Sequence, residues 1–253
     1  MMKSYKIVLL LLFPFTAFAQ IPKSDQVKPF KVEDNFLNDT TFEKDNNDPQ
    51  LVHMTIKNPK GTIVSQGSMK SNVKEGVWRN YSSTGLITSL EEFKNGKKNG
   101  SLLKFGPGTM ISVDATYKDD SLHGQKTTYG TNNKIKSVEN YVNGILHGNR
   151  KAYYDDGKLQ EEATFKNGKK DGKAIWYLQN GQPSVEYTYS DGVLNGSAKE
   201  YNPKGAILRE GKFVNDSEEG EWILHEDSNV TKKVIYKNGE ITKSSIIAPP
   251  KIK

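Results

Sequence analysis

From residue 52 onward the chain is written in short alternating runs separated by tight polar breaks. Residues 148–171 show the pattern. Asn149 to Tyr154 is a short segment ending in aromatics, Asp155-Asp156-Gly157 is a turn signal, residues 158–166 alternate, and Asn167-Gly168 opens a second turn. In the alternating run Leu159, Glu161, Ala163 and Phe165 fall on one face and Gln160, Glu162, Thr164 and Lys166 on the other, the period of two of a half-buried strand. The segment therefore predicts strand, turn, strand, turn. If the first turn brings Tyr153 opposite Leu159, the buried face becomes a cross-strand aromatic–aliphatic ladder. No helical period of useful length occurs between residues 52 and 240.

The same pattern recurs every 24 residues. Gly76, Gly100, Gly124, Gly148, Gly172, Gly196 and Gly220 stand in one register, and aromatics follow every 12 residues from Tyr81 and Phe93 to Tyr201 and Phe213, with Tyr236 in a last unit one residue shorter. Ile87, Ile111, Ile135, Leu159, Pro183 and Ile207 form another column, in which Pro183 is tolerable only where its missing N–H is not needed. Asn133 and Asn229 replace the first-turn glycine, and Asp120 and Asp216 the second-turn glycine. Asn and Asp are the non-glycine residues that best tolerate a left-handed backbone, which supports the turn reading. Such internal periodicity marks stacked supersecondary units. Residues 52–75 hold a degenerate unit with Val52 at the glycine position, read as a cap; seven full repeats fill 76–241. Residues 20–51 read as an extended or poorly ordered leader and 242–253 as a tail.

Composition narrows the chemistry. The 253 residues include 36 Lys+Arg against 30 Asp+Glu, 34% hydrophobic residues, four histidines and no cysteine. That is lean for a large three-dimensional core. The absence of cysteine excludes disulfide frameworks, thiolate metal sites, cysteine nucleophiles and a lipidated-cysteine anchor. At the amino terminus Lys3 and Lys6 precede an apolar run from Ile7 to Phe13, and Ala17-Phe18-Ala19 carries the small residues that a signal peptidase reads. The run is too short to span a bilayer. Residues 1–19 are thus expected to be a signal peptide cut between Ala19 and Gln20, and the mature protein to be exported, periplasmic or extracellular.

Residues 148–172 and 172–196, GNRKAYYDDGKLQEEATFKNGKKDG and GKAIWYLQNGQPSVEYTYSDGVLNG, resemble the variant MORN repeat found in tandem in the YwqK-family antitoxin-like proteins. The resemblance covers residues 76–239 and weakly 52–75. It implies an all-β fold, an elongated single-layer antiparallel sheet of stacked hairpins that serves as an interaction scaffold, with membrane-lipid contact for some members and a cognate toxin for those named antitoxins. Eight units give about sixteen strands and, at roughly 4.8 Å per strand, a sheet on the order of 75 Å long. One face is expected to be aromatic and the other polar, with no deep pocket.

No catalytic or cofactor motif is present, and the chain reads as a non-enzyme with no cofactor and no metal. His123 and His147 share one column, one repeat apart, with Asp119, Asp120 and Asp171 nearby; solvated turn histidines fit better than a metal site, because nothing supplies a fixed second layer of partners. Adjacent carboxylates such as Glu161 and Glu162 point to opposite faces and do not cooperate as acid and base. Lysines gather at the second turn. Lys94, Lys98, Lys118, Lys166 and Lys170 are candidates for a basic binding edge toward an anionic membrane surface or acidic protein, or serve solubility and block edge pairing. Export and a modest net charge argue against nucleic acid. Three readings remain: an exported scaffold that binds another protein through its extended β-surface, an antitoxin or immunity-type protein masking a toxin, and a peripheral binder of anionic membrane.

Overall fold

A computed structural model describes residues 39–227 and 230–247. The chain divides into units 1–35 and 36–253, and all described residues lie in the second. The signal peptide, its cut at Ala19 and Gln20, residues 20–38 of the leader, Asn229 and the last residues of the tail lie outside the described residues.

Residues 39–247 form one 20-stranded antiparallel sheet in which each strand pairs with its sequence neighbours. The strands are β1 (Asp39–Lys44), β2 (Leu51–Lys57), β3 (Ile63–Lys70), β4 (Val73–Tyr81), β5 (Ile87–Lys94), β6 (Lys97–Phe105), β7 (Ile111–Lys118), β8 (Ser121–Tyr129), β9 (Ile135–Val142), β10 (Ile145–Leu146) and β11 (Gly148–Tyr153). They continue as β12 (Leu159–Lys166), β13 (Lys169–Tyr177), β14 (Pro183–Ser190), β15 (Val193–Tyr201), β16 (Ile207–Val214), β17 (Ser217–Glu218), β18 (Gly220–Asp227), β19 (Val230–Lys237) and β20 (Glu240–Ile247). Strands β10 and β11 form one ladder position interrupted at His147, and β17 and β18 another interrupted at Glu219. The sheet reaches further than the repeat register predicts at both ends: β1 lies inside the segment read as leader, and β20 runs through Thr242 into the tail.

Each unit contains a first strand, a first turn, a second strand and a second turn, and each half carries a bulge. At the first turn Ala152 partners Glu161 while Tyr153 partners Leu159, leaving Gln160 extra. The same shift recurs at Asn80/Tyr81, Lys104/Phe105, Thr128/Tyr129, Trp176/Tyr177 and Glu200/Tyr201. After the second turn Phe165 partners Lys170 and Ala163 partners Ala174, so Thr164 stands against Asp171, Gly172 and Lys173. The repeating leading glycine sits in this second bulge, with φ of 104° at Gly172 and 136° at Gly196, where a side chain would be strained. It is a strand-bending residue and not a turn residue.

The bulges correct the expected division into one aromatic and one polar face. A one-residue slip moves everything beyond it to the other side of a sheet. Tyr153 does stand opposite Leu159, but both lie past the bulge, so Leu159 does not share the face of Glu161, Ala163 and Phe165. The aromatics therefore divide. Column Phe93, Tyr117, Tyr141, Phe165, Tyr189, Phe213 and Tyr236 lines one face, called here the first; column Tyr81, Phe105, Tyr129, Tyr153, Tyr177 and Tyr201 lines the second. Adjacent residues show it directly: Trp176 meets Tyr187 and Tyr189 edge-to-face on the first face, while the Tyr177 hydroxyl donates to Glu162 at 2.7 Å on the second. Pro183 opens β14 opposite Tyr177, where a strand tolerates a missing donor.

Candidate binding surfaces

The first face is packed by size compensation between neighbouring columns. Down the first strands run Trp78, Leu102, Lys126, Arg150, Ala174, Ala198 and Trp222, and beside them down the second strands run Gly67, Glu91, Ala115, Glu139, Ala163, Tyr187 and Gly211. The two fully buried tryptophans lie against the two glycines: a Cβ on Gly67 would fall 2.4 Å from the Trp78 ring, and one on Gly211 2.2 Å from the Trp222 ring. Each indole N–H is satisfied by a main-chain oxygen, Trp78 by Ser68 at 2.9 Å and Trp222 by Lys212 at 3.2 Å. From Trp176 an edge-to-face row continues through Tyr187, Phe213, Trp222 and Tyr236, with centroid separations of 5.3 to 6.1 Å.

In the middle of the sheet charge fills part of this face. Lys126, Glu139, Arg150, Glu161 and Lys170 alternate in sign across β8, β9, β11, β12 and β13. Lys126 and Arg150 both donate to Glu139 at 3.3 Å, Arg150 also pairs with Glu161, and Lys170 donates to Glu161 at 2.7 Å. Burial disfavours the charged form of Glu161, but the Lys170 hydrogen bond and the Lys170 and Arg150 charges outweigh it and hold its carboxyl below the ordinary carboxylate range. Glu139 is held low in the same way, against burial, by Tyr141, Lys126 and Arg150. The chain ends on aromatics, with the Lys170 ammonium 4.1 Å from the Trp176 ring centroid. A second cluster joins Arg209 to Glu200 at 2.7 Å and to Glu218, over Trp222.

On the second face the tyrosines are half-buried, and two are bonded to glutamates: Tyr177 to Glu162, and Tyr201 to Glu186 at 2.9 Å. Burial first, and then these carboxylates, push both phenols up to about 12. Glu161 and Glu162 thus serve opposite faces. A half-open recess on the sheet is lined by residues that include Asn149, Lys151, Glu162, Thr164, Lys173 and Ile175.

The rim formed by the second turns is stitched from unit to unit. The second turn residue donates its N–H to a main-chain oxygen of the preceding unit, as from Gly96 to Lys74, Gly168 to Leu146 and Gly192 to Lys170, at 2.8 to 2.9 Å. The first turn residue donates to the side chain just before the leading glycine: Asn95 to Glu75 at 2.8 Å, Asp191 to Asp171 at 3.1 Å, Asn238 to Glu219 at 2.8 Å, and Asn143 to His123 Nδ1 at 3.5 Å. His123 is therefore part of the stacking column, while His147 lies exposed at the break between β10 and β11. Asp120 and Asp216 keep the left-handed backbone of the glycines they replace, and their carboxylates accept the N–H groups of Lys98 and Leu194 at 2.8 Å.

The five candidate lysines separate. Lys94, Lys118 and Lys166 are exposed on this rim, and no ion pair engages them among the described residues. Lys98 and Lys170 turn onto the first face, because their column stands opposite Phe93 and Phe165 within reach of Glu91 and Glu161; Lys98 pairs with Glu91 at 2.9 Å. Of the five, three are thus exposed on the rim and two lie on the first face.

One constellation escapes the sequence register. His53 and Ser68 are cross-strand partners, with His53 Nδ1 3.0 Å from Ser68 Oγ and Nε2 2.9 Å from Asp45 Oδ2. Backbone N–H groups of Asn47 and Asp48, and then His53, hold the Asp45 carboxyl below its ordinary range. His53 is exposed and Ser68 half-buried on paired strands, and Asp45 lies in the turn that follows β1, so the geometry fastens the turn between β1 and β2.

Residues 146–167 and 170–191 match the MORN repeat variant. The chain therefore carries MORN-variant repeats in the middle of its sheet. A search of the curated proteins finds no match. Among solved structures, one described as "Crystal Structure of TcdB2-TccC3-TEV" aligns at 10% identity over 85% of this chain and 13% of that chain, with a TM-score of 0.19, a likeness too weak to carry an argument.

Proposed function

We propose that this MORN-repeat β-sheet scaffold is exported and binds another protein through its extended β-surface, without catalysis. The observation that carries the reading is a single-layer sheet whose two faces both present half-exposed aromatic and charged columns, with no second layer over either among the described residues. Rigid strands hold these columns in a regular array, and an array of Tyr and Arg suits protein recognition. Export rests on residues 1–19. An immunity-type role would be the same act of binding with a toxin as the partner.

The second reading, a peripheral binder of anionic membrane, is favoured by the exposed Lys94, Lys118 and Lys166 on one rim. The two readings place contact on different parts of the molecule. Because the chain has no cysteine, single substitutions Lys104→Cys on the first face, Gln125→Cys on the second and Lys118→Cys on the rim can each carry a photo-crosslinker in the native envelope. One protein captured from a face position and not from the rim supports the scaffold, and its identity decides between envelope partner and toxin. Lipid captured from the rim alone supports the membrane reading, and no capture from either face defeats the scaffold.

A further inference from the structure

We propose that copies of this chain associate head to tail, with β20 of one copy pairing antiparallel to β1 of the next. The two end strands are complementary halves of one repeat. β20 follows the Asn238-Gly239 second turn, so it is a first strand whose second strand is missing among the described residues. β1 stands 24 residues before β3 and is a second strand without its first among the described residues. First and second strands alternate in direction, so the outer side of β20 presents the polarity that the outer side of β1 requires. An unpaired edge is a template for strand addition unless it is blunted. β20 contains no proline, every side chain on it is exposed, and Ile241 and Ile246 are 61% and 74% exposed.

The repeat register also fixes which residues would meet. Within a unit the first strand pairs with the second as Gly76 with Phe93 and Arg79 with Leu90. The ladders of the end strands place Ser244 at the Trp78 position and Phe42 at the Glu91 position, which sets Lys243 opposite Glu43, Ser244 opposite Phe42 and Ile246 opposite Thr40. Phe42, 40% exposed, is the large apolar side chain left uncovered on β1. Ile246 and Phe42 thus become diagonal cross-strand neighbours on one face, and a cation meets a carboxylate. The contact is heterologous, so it does not close on itself and permits growth into a continuous sheet. An isologous β20–β20 contact would place two first strands side by side and break the alternation of bulges.

The test is sedimentation of the purified full chain across a concentration series. Wild type is expected to show a mass that rises with concentration. Ile246→Lys blocks one end and Phe42→Lys the other, so each alone should lose assembly, yet an equimolar mixture should form a one-to-one pair and stop there, because the two blocked ends carry like charges. Lys243→Glu, a purely polar exchange on the same edge, should weaken assembly in parallel. Circular dichroism confirms that each variant keeps the sheet. A wild type that stays monomeric to its solubility limit overturns the proposal, as does full self-association of Phe42→Lys, which would mean β20 pairs with itself, or a mixture that stays monomeric.

Discussion

Gly67 and Gly211 lack side chains because tryptophan occupies the space a Cβ would need. Their backbone is ordinary strand, so the constraint is contact and not conformation, unlike the left-handed leading glycines. Gly211→Ala is therefore expected to cost about 1–3 kcal/mol by overpacking, read as a lower urea midpoint. Trp222→Leu in the same molecule should return part of that loss, because the smaller side chain frees the space above residue 211. If the alanine is neutral, the indole is not packed on that glycine. The sequence register held this information: Gly67 and Gly211 occupy one column, Trp78 and Trp222 the next, and the sizes compensate along both. Single-residue alternation within one unit does not reveal it, because the compensating partner lies on the neighbouring strand.

Strand pairing was readable to the residue where turns fix it. Asp155 to Gly157 sets Tyr153 against Leu159, and the Asp substitutions at positions 120 and 216 mark left-handed turn residues. The division of the faces was not readable, because a bulge adds one residue without changing composition, and alternation counted through Gln160 carries Leu159 to the wrong side. The charge chain across β8 to β13 was hidden for the same reason, since Glu139, Arg150 and Glu161 come together only after the bulges are placed. Their side chains are mostly covered, so removing the central cation leaves two carboxylates short of a partner. Arg150→Met should cost about 1.5–3 kcal/mol, the range for hydrogen bonds to charged groups. The pH dependence has a definite sign. Glu139 and Glu161 have folded-state pKa values below their ordinary range, so their stabilisation is complete above that range and is lost as pH falls through the lowered values. The urea midpoint of wild type should fall on acidification, and Glu161→Gln, already weaker at neutral pH, should fall less steeply. Parallel acid profiles would show that the Glu161 ionisation does not support the sheet.

The molecule as a whole behaves as a one-dimensional stack, since each strand pairs only with its neighbours and each second turn is stitched to the unit before it. Deleting the 24 residues 148–171 joins His147 to Gly172, so β10 runs on into the rest of β13 in the same direction, with the same bulge and the same face. Ala174 then takes the position of Arg150, and Glu139 keeps Lys126 alone. A cooperative, folded, shorter β-protein with a lower urea midpoint is expected. Deleting only 148–159 joins β10 to the rest of β12, which puts a second-strand sequence in a first-strand position. Two second turns then follow one another, every later first turn moves to the opposite rim, and the bond from Gly168 to Leu146 has no geometry in which to form. That variant should lose its cooperative transition and most of its sheet signal by circular dichroism. Equal damage from both deletions would mean that stability is not carried unit by unit, and the hairpin would cease to be the building block of this protein.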